Sequence, residues 1–397
     1  MHIDLKTGRI IPTSSMSVSE STAKRLIQYK LSAGDIVIGR RGEMGRAAVV
    51  TQSEAGWLCG TGCFFLHLSD LVFPDYLLKL IKANYAIKYL SNESVGSTMS
   101  NLNSHCLVSL LVPLPPLAEQ KRIVAQIEGL LKCVDEIDRE SETLEKSLAL
   151  AKQKILDLAI RGKLVPQNPN DEPATELLKK IMAEKEALIK AGKLKRDKHE
   201  SFIFRGDDNC YYEQIEGKTV EITGEISFEI PESWCWCRLG SLCNYGKCQS
   251  VEPSEIKATD WVLDLEDIEK DSGRLLCRIK KQDRPPTSSR HVFNRGNVLY
   301  SKLRTYLNKV LVADQDGYCT SEILPLDFGK YILPEFARCV LMSKMFLDYT
   351  ARCGYGVKMP RLGTTDGQKA LFPLPPLAEQ KAIIARLNDF KIILSVE

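Results

Sequence analysis

The sequence predicts an α+β protein in which two related globular domains, each with a mixed β-sheet and short helices, are separated by long coiled-coil-type helices. The first observation is a repeat of nine residues, Pro-Leu-Pro-Pro-Leu-Ala-Glu-Gln-Lys, at 113–121 and again at 373–381. The second is a strand-like run ahead of each copy, Gly-Asp-Ile-Val-Ile-Gly at 34–39 and Gly-Asn-Val-Leu-Tyr-Ser at 296–301. The third is a long heptad pattern after the first copy.

The two copies of the repeat lie 260 residues apart (373 − 113). Solenoid repeats have periods of about 20 to 50 residues, so each period here should hold a whole domain and a connecting element. The likeness continues on both sides of the identical residues. The corresponding pairs are Gly96 and Gly356, Met99 and Met359, Leu102 and Leu362, Ile123 and Ile383, Val124 and Ile384, Ala125 and Ala385, and Ile127 and Leu387. A single-domain enzyme is therefore not expected.

Composition describes an ordinary globular chain, with 397 residues, 44% of them hydrophobic and 26% charged. No apolar run reaches the roughly 18 residues of a membrane span, and the first residues lack the basic-then-apolar order of a signal peptide. We therefore expect a cytoplasmic protein without a membrane partner. The net charge of +3 does not by itself indicate nucleic acid, so any DNA affinity has to come from local placement of Lys and Arg.

The 13 cysteines are odd in number and form no CxxC pair, which predicts free and mostly buried thiols. One cluster, formed by Cys235, Cys237, Cys243 and Cys248, invites comparison with zinc sites. Structural zinc ligands are usually spaced as paired CxxC or CxxH units, and this cluster is not. No metal is predicted.

A heptad seam follows the first copy of the repeat and predicts a long helix over 117–162. Its apolar positions step by four and three residues: Ile123, Ile127, Leu130, Val134, Ile137, Ser141, Leu144, Leu148, Ala151, Ile155, Leu158 and Gly162. The stretch of roughly 40 residues makes a rod of about 60 Å. Gly and Pro residues break it after 161, and a shorter charged helix is predicted over 175–195. Such a seam either packs within the chain or pairs with a helix of another chain.

Three sequence motifs occur along the chain. They are the repeat itself, Leu-Ala-Ile-Arg-Gly-Lys-Leu-Val at 158–165 with Asp-Glu-Pro-Ala-Thr-Glu-Leu-Leu at 171–178, and the opening Pro-Glu-Ser-Trp at 231–234. With them, nearly the whole chain resembles the DNA-specificity (S) subunit of type I restriction-modification systems. The resemblance implies two target-recognition domains, each reading one half of a split DNA site. It also implies that two conserved helices, paired antiparallel, hold the domains apart.

The resemblance further implies a non-catalytic subunit that binds double-stranded DNA and docks modification (methyltransferase) subunits and restriction/translocase subunits. S-adenosylmethionine, ATP and Mg are then expected on the partner subunits only, and no cofactor on this chain. The sequence agrees by omission, because it has no P-loop, no Asn-Pro-Pro-aromatic run and no HExxH. The alternatives are a non-catalytic scaffold or a silent, exchangeable specificity cassette that has lost DNA recognition. Self-association through the helical spacer is a further possibility.

The predicted domain boundaries follow from these motifs. They are a first target-recognition domain over 1–112, a helical spacer over 113–200, a connecting segment over 201–230, a second target-recognition domain over 231–372, and the start of the second conserved helix over 373–397. By the repeat offset, a counterpart of Trp234 would precede Met1. We therefore expect a first domain without its opening strand and a second conserved helix that is short.

Basic residues on loops are the candidates for DNA contacts, because Arg and Lys reach both phosphates and base edges. The DNA-binding candidates are Arg40, Arg41, Arg46, Lys302, Arg304, Lys309, Lys358 and Arg361, and the same clusters contain Lys24, Arg25, Arg284 and Arg290. Arg40, Arg41 and Arg304 are preferred because each follows a short apolar run, so that a strand presents the charge at its loop end. Tyr300 and Tyr306 are expected either to stack on DNA or to pack in the core.

The apolar seam supplies the candidates for helix pairing and subunit docking. These are Ile123, Ile127, Leu130, Val134, Ile137, Leu144, Leu148, Ile155, Leu158, Ile383, Leu387 and Phe390.

Overall fold

A computed structural model describes residues 2–3, 8–12, 17–92, 102–192, 201–215, 217–356 and 358–394. Contacts divide the chain into two units, Met1–Thr143 and Leu144–Glu397. Both contain helices and small β-sheets, so the predicted α+β class is confirmed. Gly96, Met99 and the end of the predicted 175–195 helix lie outside the described residues.

The first unit combines two small antiparallel sheets with short helices. Its strands are β1 (His2–Ile3), β2 (Ile10–Ile11), β3 (Ile36–Gly39), β4 (Ala47–Val49) and β5 (Cys63–Leu66). Its helices are α1 (Glu20–Arg25), α2 (Pro74–Ile81), α3 (Asn84–Asn92), α4 (Ser104–Val108) and the first part of α5 (Leu117–Ile160). The sheet order β4-β3-β5 places β3 in the centre, where all four of its residues are buried. This explains why its run of apolar residues shows no alternation.

Helix α5 confirms the predicted long helix, with 44 residues from Leu117 to Ile160. The middle of its predicted seam faces solvent, since Leu130, Val134, Ile137 and Leu144 are all more than half exposed. A two-position apolar stripe on a charged helix is typical of a coiled-coil partner surface. Across the described part of the chain, neither this helix nor any other combines the length and apolar character needed to cross a membrane.

The second unit is larger and contains four sheets. Its strands are β6 (Ser201–Arg205), β7 (Tyr211–Ile215), β8 (Lys218–Glu221), β9 (Cys235–Arg238), β10 (Ser250–Val251), β11 (Trp261–Leu263), β12 (Ile279–Lys280), β13 (Arg290–Phe293), β14 (Val298–Ser301), β15 (Val310–Val312), β16 (Gly317–Cys319), β17 (Ile323–Leu326) and β18 (Leu371–Leu374). The sheet orders are β6-β7-β8, β9-β18, β10-β13-β16-β11-β12 and β15-β14-β17. Only the β11–β16 pair is parallel, so the five-stranded sheet is mixed, as predicted.

Helices complete the second unit. They are the end of α5, α6 (Ala174–Lys190), α7 (Leu239–Leu242), α8 (Pro334–Met342), α9 (Lys344–Cys353), α10 (Thr364–Lys369) and α11 (Leu377–Leu394). The main hydrophobic cluster gathers side chains from the end of α5, from α6, α8 and α11, and from the sheets β6-β7-β8, β9-β18 and β15-β14-β17. Ile155 and Ile383, both predicted seam residues, belong to this one cluster.

The region predicted as spacer and connecting segment differs from expectation after α5. Helix α6 buries Ala174, Leu177, Leu178 and Ile181 in the core of the second unit. The segment 201–222 is an antiparallel three-stranded sheet whose Ile203 also enters that core. Both pieces therefore pack as parts of the second unit. The strands alternate apolar and polar residues, and the helix has its apolar residues on one face. Both patterns are typical of elements that pack one face on a core and expose the other.

The repeated glutamine has the same structural role in both units. Gln120 accepts a hydrogen bond from the backbone of Phe73 (2.8 Å) and donates to the carbonyls of Leu71 and Pro115. Gln380 accepts from Leu333 (2.8 Å) and donates to Tyr331 and Pro375. The contacts are equivalent, because each glutamine joins its own proline-rich segment to the residues that precede α2 or α8. Both side chains are fully buried, so they fix where α5 and α11 begin.

The repeated glutamate has different surroundings in the two units. Glu379 is buried, accepts from the indole Nε1 of Trp234 at 2.7 Å, and also accepts from the Gln167 amide. Burial raises the pKa of the Glu379 carboxyl, and the hydrogen bonds from Trp234 and Gln167 offset only part of that rise. Glu119, its counterpart in the first unit, is exposed. The difference follows from β9, which carries the tryptophan segment against β18.

We predict that Gln380→Ala lowers the free energy of unfolding of the second unit by about 1–3 kcal/mol, because it leaves buried backbone groups without partners. Urea unfolding followed by tryptophan fluorescence measures this, since three of the four tryptophans (Trp234, Trp236 and Trp261) lie in this unit. Gln153→Ala on the exposed surface of α5 is the control and should change stability by less than about 0.5 kcal/mol. Equal effects of the two substitutions would show that the hydrogen bonds of the Gln380 side chain do not stabilise the second unit.

A second prediction concerns pH. Because the folded-state pKa of Glu379 is raised, its stabilising contribution is full below the unfolded pKa of about 4.3 and is lost as the pH rises through the folded value. The unfolding free energy of the wild-type protein should therefore increase relative to Glu379→Gln as the pH falls from 7 towards about 4.3. Urea unfolding of both proteins across this range provides the measurement. A difference that does not vary with pH would argue against the raised pKa.

Candidate nucleic-acid interface

The loop between β14 and β15 carries three of the predicted DNA-binding residues, Lys302, Arg304 and Lys309. Its backbone is held firmly, since Lys302 donates to the carbonyl of Glu322 (3.0 Å) and Arg304 donates to that of Pro360 (2.7 Å). Arg304 and Asn308 both adopt the left-handed conformation, with φ of 52° and 49°. Such a conformation is strained for arginine and persists only where the surroundings impose it. The loop thus presents its cations in a defined geometry.

A second loop lies beside the first. Tyr355 and Arg361 exchange backbone hydrogen bonds of 3.0 and 2.9 Å, which closes a hairpin over 355–361, and Leu303 forms a bridge with Arg361. The Arg361 guanidinium forms a two-pronged ion pair with Glu322, at 3.1 and 3.0 Å. The hydrogen bonds that Arg361 donates to Glu322 raise the pKa of Arg361. Arg361 therefore braces the hairpin.

The two loops together form a basic and aromatic surface, which we call the second-unit loop surface and define by Lys302, Arg304, Tyr306, Tyr355 and Lys358. Tyr306 and Tyr355 are each 59% exposed. Among the described residues, no carboxylate lies within ion-pair distance of the three cations, and the buried Arg304 Nε has no hydrogen-bond partner. Unpaired cations beside exposed aromatic rings suit contacts with phosphates and bases.

The loop between β3 and β4 of the first unit shares one backbone contact with the loop between β14 and β15. Leu102 donates to the carbonyl of Arg40 (2.8 Å), and Leu362 donates to that of Lys302 (3.0 Å). Arg40 and Lys302 therefore occupy equivalent backbone positions, one residue beyond the central strand of each sheet. The Arg40 guanidinium lies 4.6 Å from the centre of the Phe64 ring, a cation–π contact that orients it. The counterpart of the 355–361 hairpin, residues 95–101, falls outside the described part of the chain.

The remaining candidates of these two loops have local roles. Arg46 donates to the carbonyl of Arg41, and its guanidinium packs over Gly39, while Arg41 itself is exposed. Lys309 donates to the carbonyl of Leu265 at 2.6 Å, and burial lowers its pKa. On the N-terminal helix α1, Lys24 and Arg25 are exposed, and Lys24 pairs with Glu20.

Arg284 and Arg290 serve the fold, which corrects their place among the basic clusters. Arg284 pairs with Asp264 (2.8 Å) and Asp267 (2.6 Å), and the buried Arg290 also pairs with Asp264. Burial alone would raise the pKa of Asp264, but the hydrogen bonds from Arg290 and Arg284 outweigh it and the pKa is lowered. Guanidinium groups neutralised in this way are not available to phosphates. The sequence shows the arginines but not these distant aspartates.

The two tyrosines considered for stacking have opposite environments. Tyr300 is 3% exposed and meets the Phe346 ring edge-on at 5.6 Å, so it packs in the core. Burial raises the pKa of its hydroxyl. Tyr306, by contrast, remains on the surface. Tyr355 on the second loop was not selected from the sequence, although its position six residues before Arg361 would have placed it on the same hairpin.

The helix-pairing candidates divide into exposed and buried groups. On α5, Ile123, Ile127, Leu148, Ile155 and Leu158 are half-buried, in contrast to the exposed middle of the helix. On α11, Ile383 and Leu387 are buried in the core of the second unit, and Phe390 is half-buried beneath the Arg386 guanidinium. The docking role of these residues stays a prediction.

The cysteines are all free thiols. The Sγ atoms of Cys235 and Cys237 lie 3.8 Å apart in the core, and Cys243 donates to the carbonyl of Leu239. Burial raises the pKa of the Cys243 thiol to about 12. Within the described ranges, no three His, Cys, Asp or Glu residues come together as metal ligands would.

The chain is similar in sequence to known proteins over most of its length. Residues 5–146 match the family model of the type I restriction modification DNA specificity domain. The chain is 26% identical to the type I restriction enzyme EcoAI specificity subunit of Escherichia coli, across 90% of this chain and 67% of that one. It is 24% identical to the EcoDI specificity subunit of the same species, across 80% and 63%. It thus spans about two thirds of the length of these relatives.

A chain from a solved structure that concerns complex assembly and conformational transition of the type I R-M system has a similar fold. Its TM-score is 0.52 at 19% identity, and the match covers 92% of this chain and 76% of that one. The match to the DNA specificity domain model, by contrast, falls on residues 5–146 and so covers most of the first unit. The chain as a whole is related to the specificity subunits of type I restriction enzymes, which confirms the resemblance carried by its motifs.

The ion pairs of Arg284 and Arg290 with Asp264 and Asp267 predict that a buried arginine contributes more to stability than an exposed one. Arg290→Ala should lower the unfolding free energy of the second unit by about 1–3 kcal/mol, because it removes a buried guanidinium and leaves the half-buried Asp264 with Arg284 as its remaining ion-pair partner. Arg274→Ala removes a more exposed pair with Glu269 and should lower the unfolding free energy far less. Urea unfolding compares the two variants. Equal stabilities would show that Arg290 is not needed for the fold.

Proposed function

We propose that this chain is the DNA-recognition subunit of a type I restriction-modification complex and that each unit reads one half of a bipartite DNA site. One observation carries the proposal. The first unit matches a DNA specificity domain, and the second unit repeats its three-stranded sheet with a cation, Lys302 for Arg40, at the same backbone position. Two copies of one reading surface suit two half-sites.

The charges of the two loops support contacts with DNA. Lys302, Arg304 and Lys358 lack carboxylate partners among the described residues, and Arg40 is held by an aromatic ring and the carbonyl of Thr61. A cation that is positioned but not neutralised retains its attraction for phosphate and can donate to guanine O6 and N7. The backbone at Arg304 is already fixed in a left-handed turn, so it loses less conformational entropy when DNA binds.

The rest of the complex belongs to the proposal as well. In it, separate modification subunits hold S-adenosylmethionine and methylate DNA, and restriction/translocase subunits use ATP and Mg, while this chain itself is non-catalytic. The exposed seam of α5 supports a docking role, because an apolar stripe on a long charged helix gains stability by pairing with another helix. The same seam favours the second candidate, a scaffold that docks partners without reading DNA.

The two candidates differ in what the assembled complex does to DNA. Methylation-site sequencing of DNA from cells that express this chain with its neighbouring methyltransferase would reveal a target sequence under the first proposal. A scaffold or silent cassette would leave no sequence-specific methylation that depends on this chain. Once a target is known, binding of the complex to labelled duplexes by fluorescence anisotropy measures affinity at several salt concentrations.

We predict that Arg40→Ala and Arg304→Ala weaken binding at different half-sites, each by about 1–3 kcal/mol if the side chain reads a base. If a side chain contacts phosphate, its loss should weaken binding to all duplexes and reduce the slope of log affinity against log salt by about 0.9. Arg274→Ala, which removes an exposed arginine paired with Glu269, is the control and should change neither quantity. Unchanged affinity and salt slope for both variants would remove these loops from the interface.

A further inference from the structure

The carboxylate of Glu322 lies at the junction of the two loops that form the second-unit loop surface. Glu322 ends the turn between β16 and β17. Its backbone carbonyl accepts a hydrogen bond from Lys302 at 3.0 Å, and its carboxylate accepts two from the Arg361 guanidinium, at 3.1 and 3.0 Å. Glu322 therefore contacts the β14–β15 loop through its backbone and the hairpin closed by Tyr355 and Arg361 through its side chain.

This side-chain pair adds what the backbone contacts between the loops do not give. Arg304 donates its backbone N–H to the carbonyl of Pro360 at 2.7 Å, which joins the two loops but leaves the Arg361 side chain free to rotate. A carboxylate that accepts both prongs of a guanidinium fixes the position and the plane of that group. The side chains of Arg361 and Glu322 are 39% and 24% exposed, so the pair lies at the surface and not in the core.

The pair also sets the charge of this surface. Lys302, Arg304 and Lys358 have no carboxylate within ion-pair distance among the described residues, whereas Glu322 offsets the charge of Arg361. An unpaired guanidinium attracts the phosphates of any duplex, whatever its sequence. Selectivity is the difference between the affinities for right and wrong partners, so a contact that strengthens both equally adds nothing to it. Glu322 thus holds Arg361 in place and reduces its attraction for DNA of every sequence.

The first unit lacks a carboxylate at the equivalent position. Arg40 donates to the carbonyl of Gly62 at 3.0 Å, just as Lys302 donates to that of Glu322. A Cβ at Gly62 would meet no described atom within 4 Å, so space is available there for a side chain. The two half-sites can therefore be compared within one molecule, and the first serves as the reference for the second.

We propose that Glu322 is a specificity-determining residue of the second unit, because it positions the hairpin through Arg361 and withholds that guanidinium from phosphates. The inference rests on the proposed function, since it assigns a role in reading the second half-site. Glu322 acts through Arg361 and is therefore a positioning residue. Loss of its charge should strengthen binding to unrelated DNA and weaken the choice of sequence, a combination that simple destabilisation of the unit does not produce.

The test uses Glu322→Gln in the chain assembled with its modification subunits. Fluorescence anisotropy measures binding to the target duplex, to duplexes altered in either half-site, and to an unrelated duplex, at several salt concentrations. Discrimination at the second half-site should fall about tenfold, while discrimination at the first stays unchanged. Affinity for the unrelated duplex should rise, and its slope of log affinity against log salt should steepen by about 0.9, because the released Arg361 contacts a phosphate.

Asp314→Asn is the matched control, because it also removes one carboxylate from an exposed ion pair with an arginine. Asp314 accepts from Arg278 at 2.8 and 2.6 Å, and it lies at the opposite end of β15 from the loop with Lys302. This substitution should change neither the discrimination nor the salt slope.

The double variant Glu322→Gln/Arg361→Gln separates charge from positioning, because its net charge equals that of the wild type. Its affinity for the unrelated duplex should return to the wild-type value. Its discrimination at the second half-site should stay reduced, since two neutral amides do not reproduce the two-pronged, charge-assisted contact. Urea unfolding of each variant checks that the second unit is folded.

A wild-type complex that binds all duplexes alike would overturn the proposed function, and this inference with it. If the wild-type complex is selective and Glu322→Gln leaves its selectivity unchanged, the inference alone is overturned. An equal loss of affinity for all duplexes would also overturn it, because Glu322 would then serve only the stability of the second unit.

Discussion

The structure of both units depends on one buried hydrogen-bonding group, the amide of the repeated glutamine. Prolines in the segment before α5 and α11 leave carbonyls that have no neighbouring N–H groups to pair with, and α2 and α8 begin without a side-chain cap at Phe73 and Leu333. One glutamine side chain satisfies both needs, since it accepts from the helix start and donates to the carbonyls. It thereby fixes where α5 and α11 begin.

Both units keep the same three-stranded sheet beside this glutamine, and their cations fall into two groups. Arginines that face carboxylates, such as Arg284, Arg290 and Arg361, are consumed by the fold. Arg40 and Lys302 are held instead by their backbone and by neutral neighbours. Charge pairing therefore separates bracing cations from those that stay available for a polyanion, a distinction that composition and net charge do not reveal.

The large features were predictable because their signals are local or repeated. The identical segments indicated two related units, and the heptad steps predicted α5 closely, since both patterns lie within short stretches of sequence. Long-range pairing was not predictable in the same way. Nothing near Arg290 in sequence identifies Asp264 as its partner, and nothing in residues 201–222 shows that their sheet covers the second unit. The shared role of Gln120 and Gln380 could have been suspected from the sequence, because a polar residue that is present in both copies of a repeat indicates a contact common to both units.

The pairing of β9 with β18 brings together the two ends of the chain segment that lies between these strands. A segment whose two ends meet can be replaced as a block, because the flanking backbone keeps its position whatever lies between. Everything from β10 to α10, including the loops with Lys302 and Lys358, lies inside that block. A change of sequence inside this block therefore need not disturb the paired strands or the helices outside them.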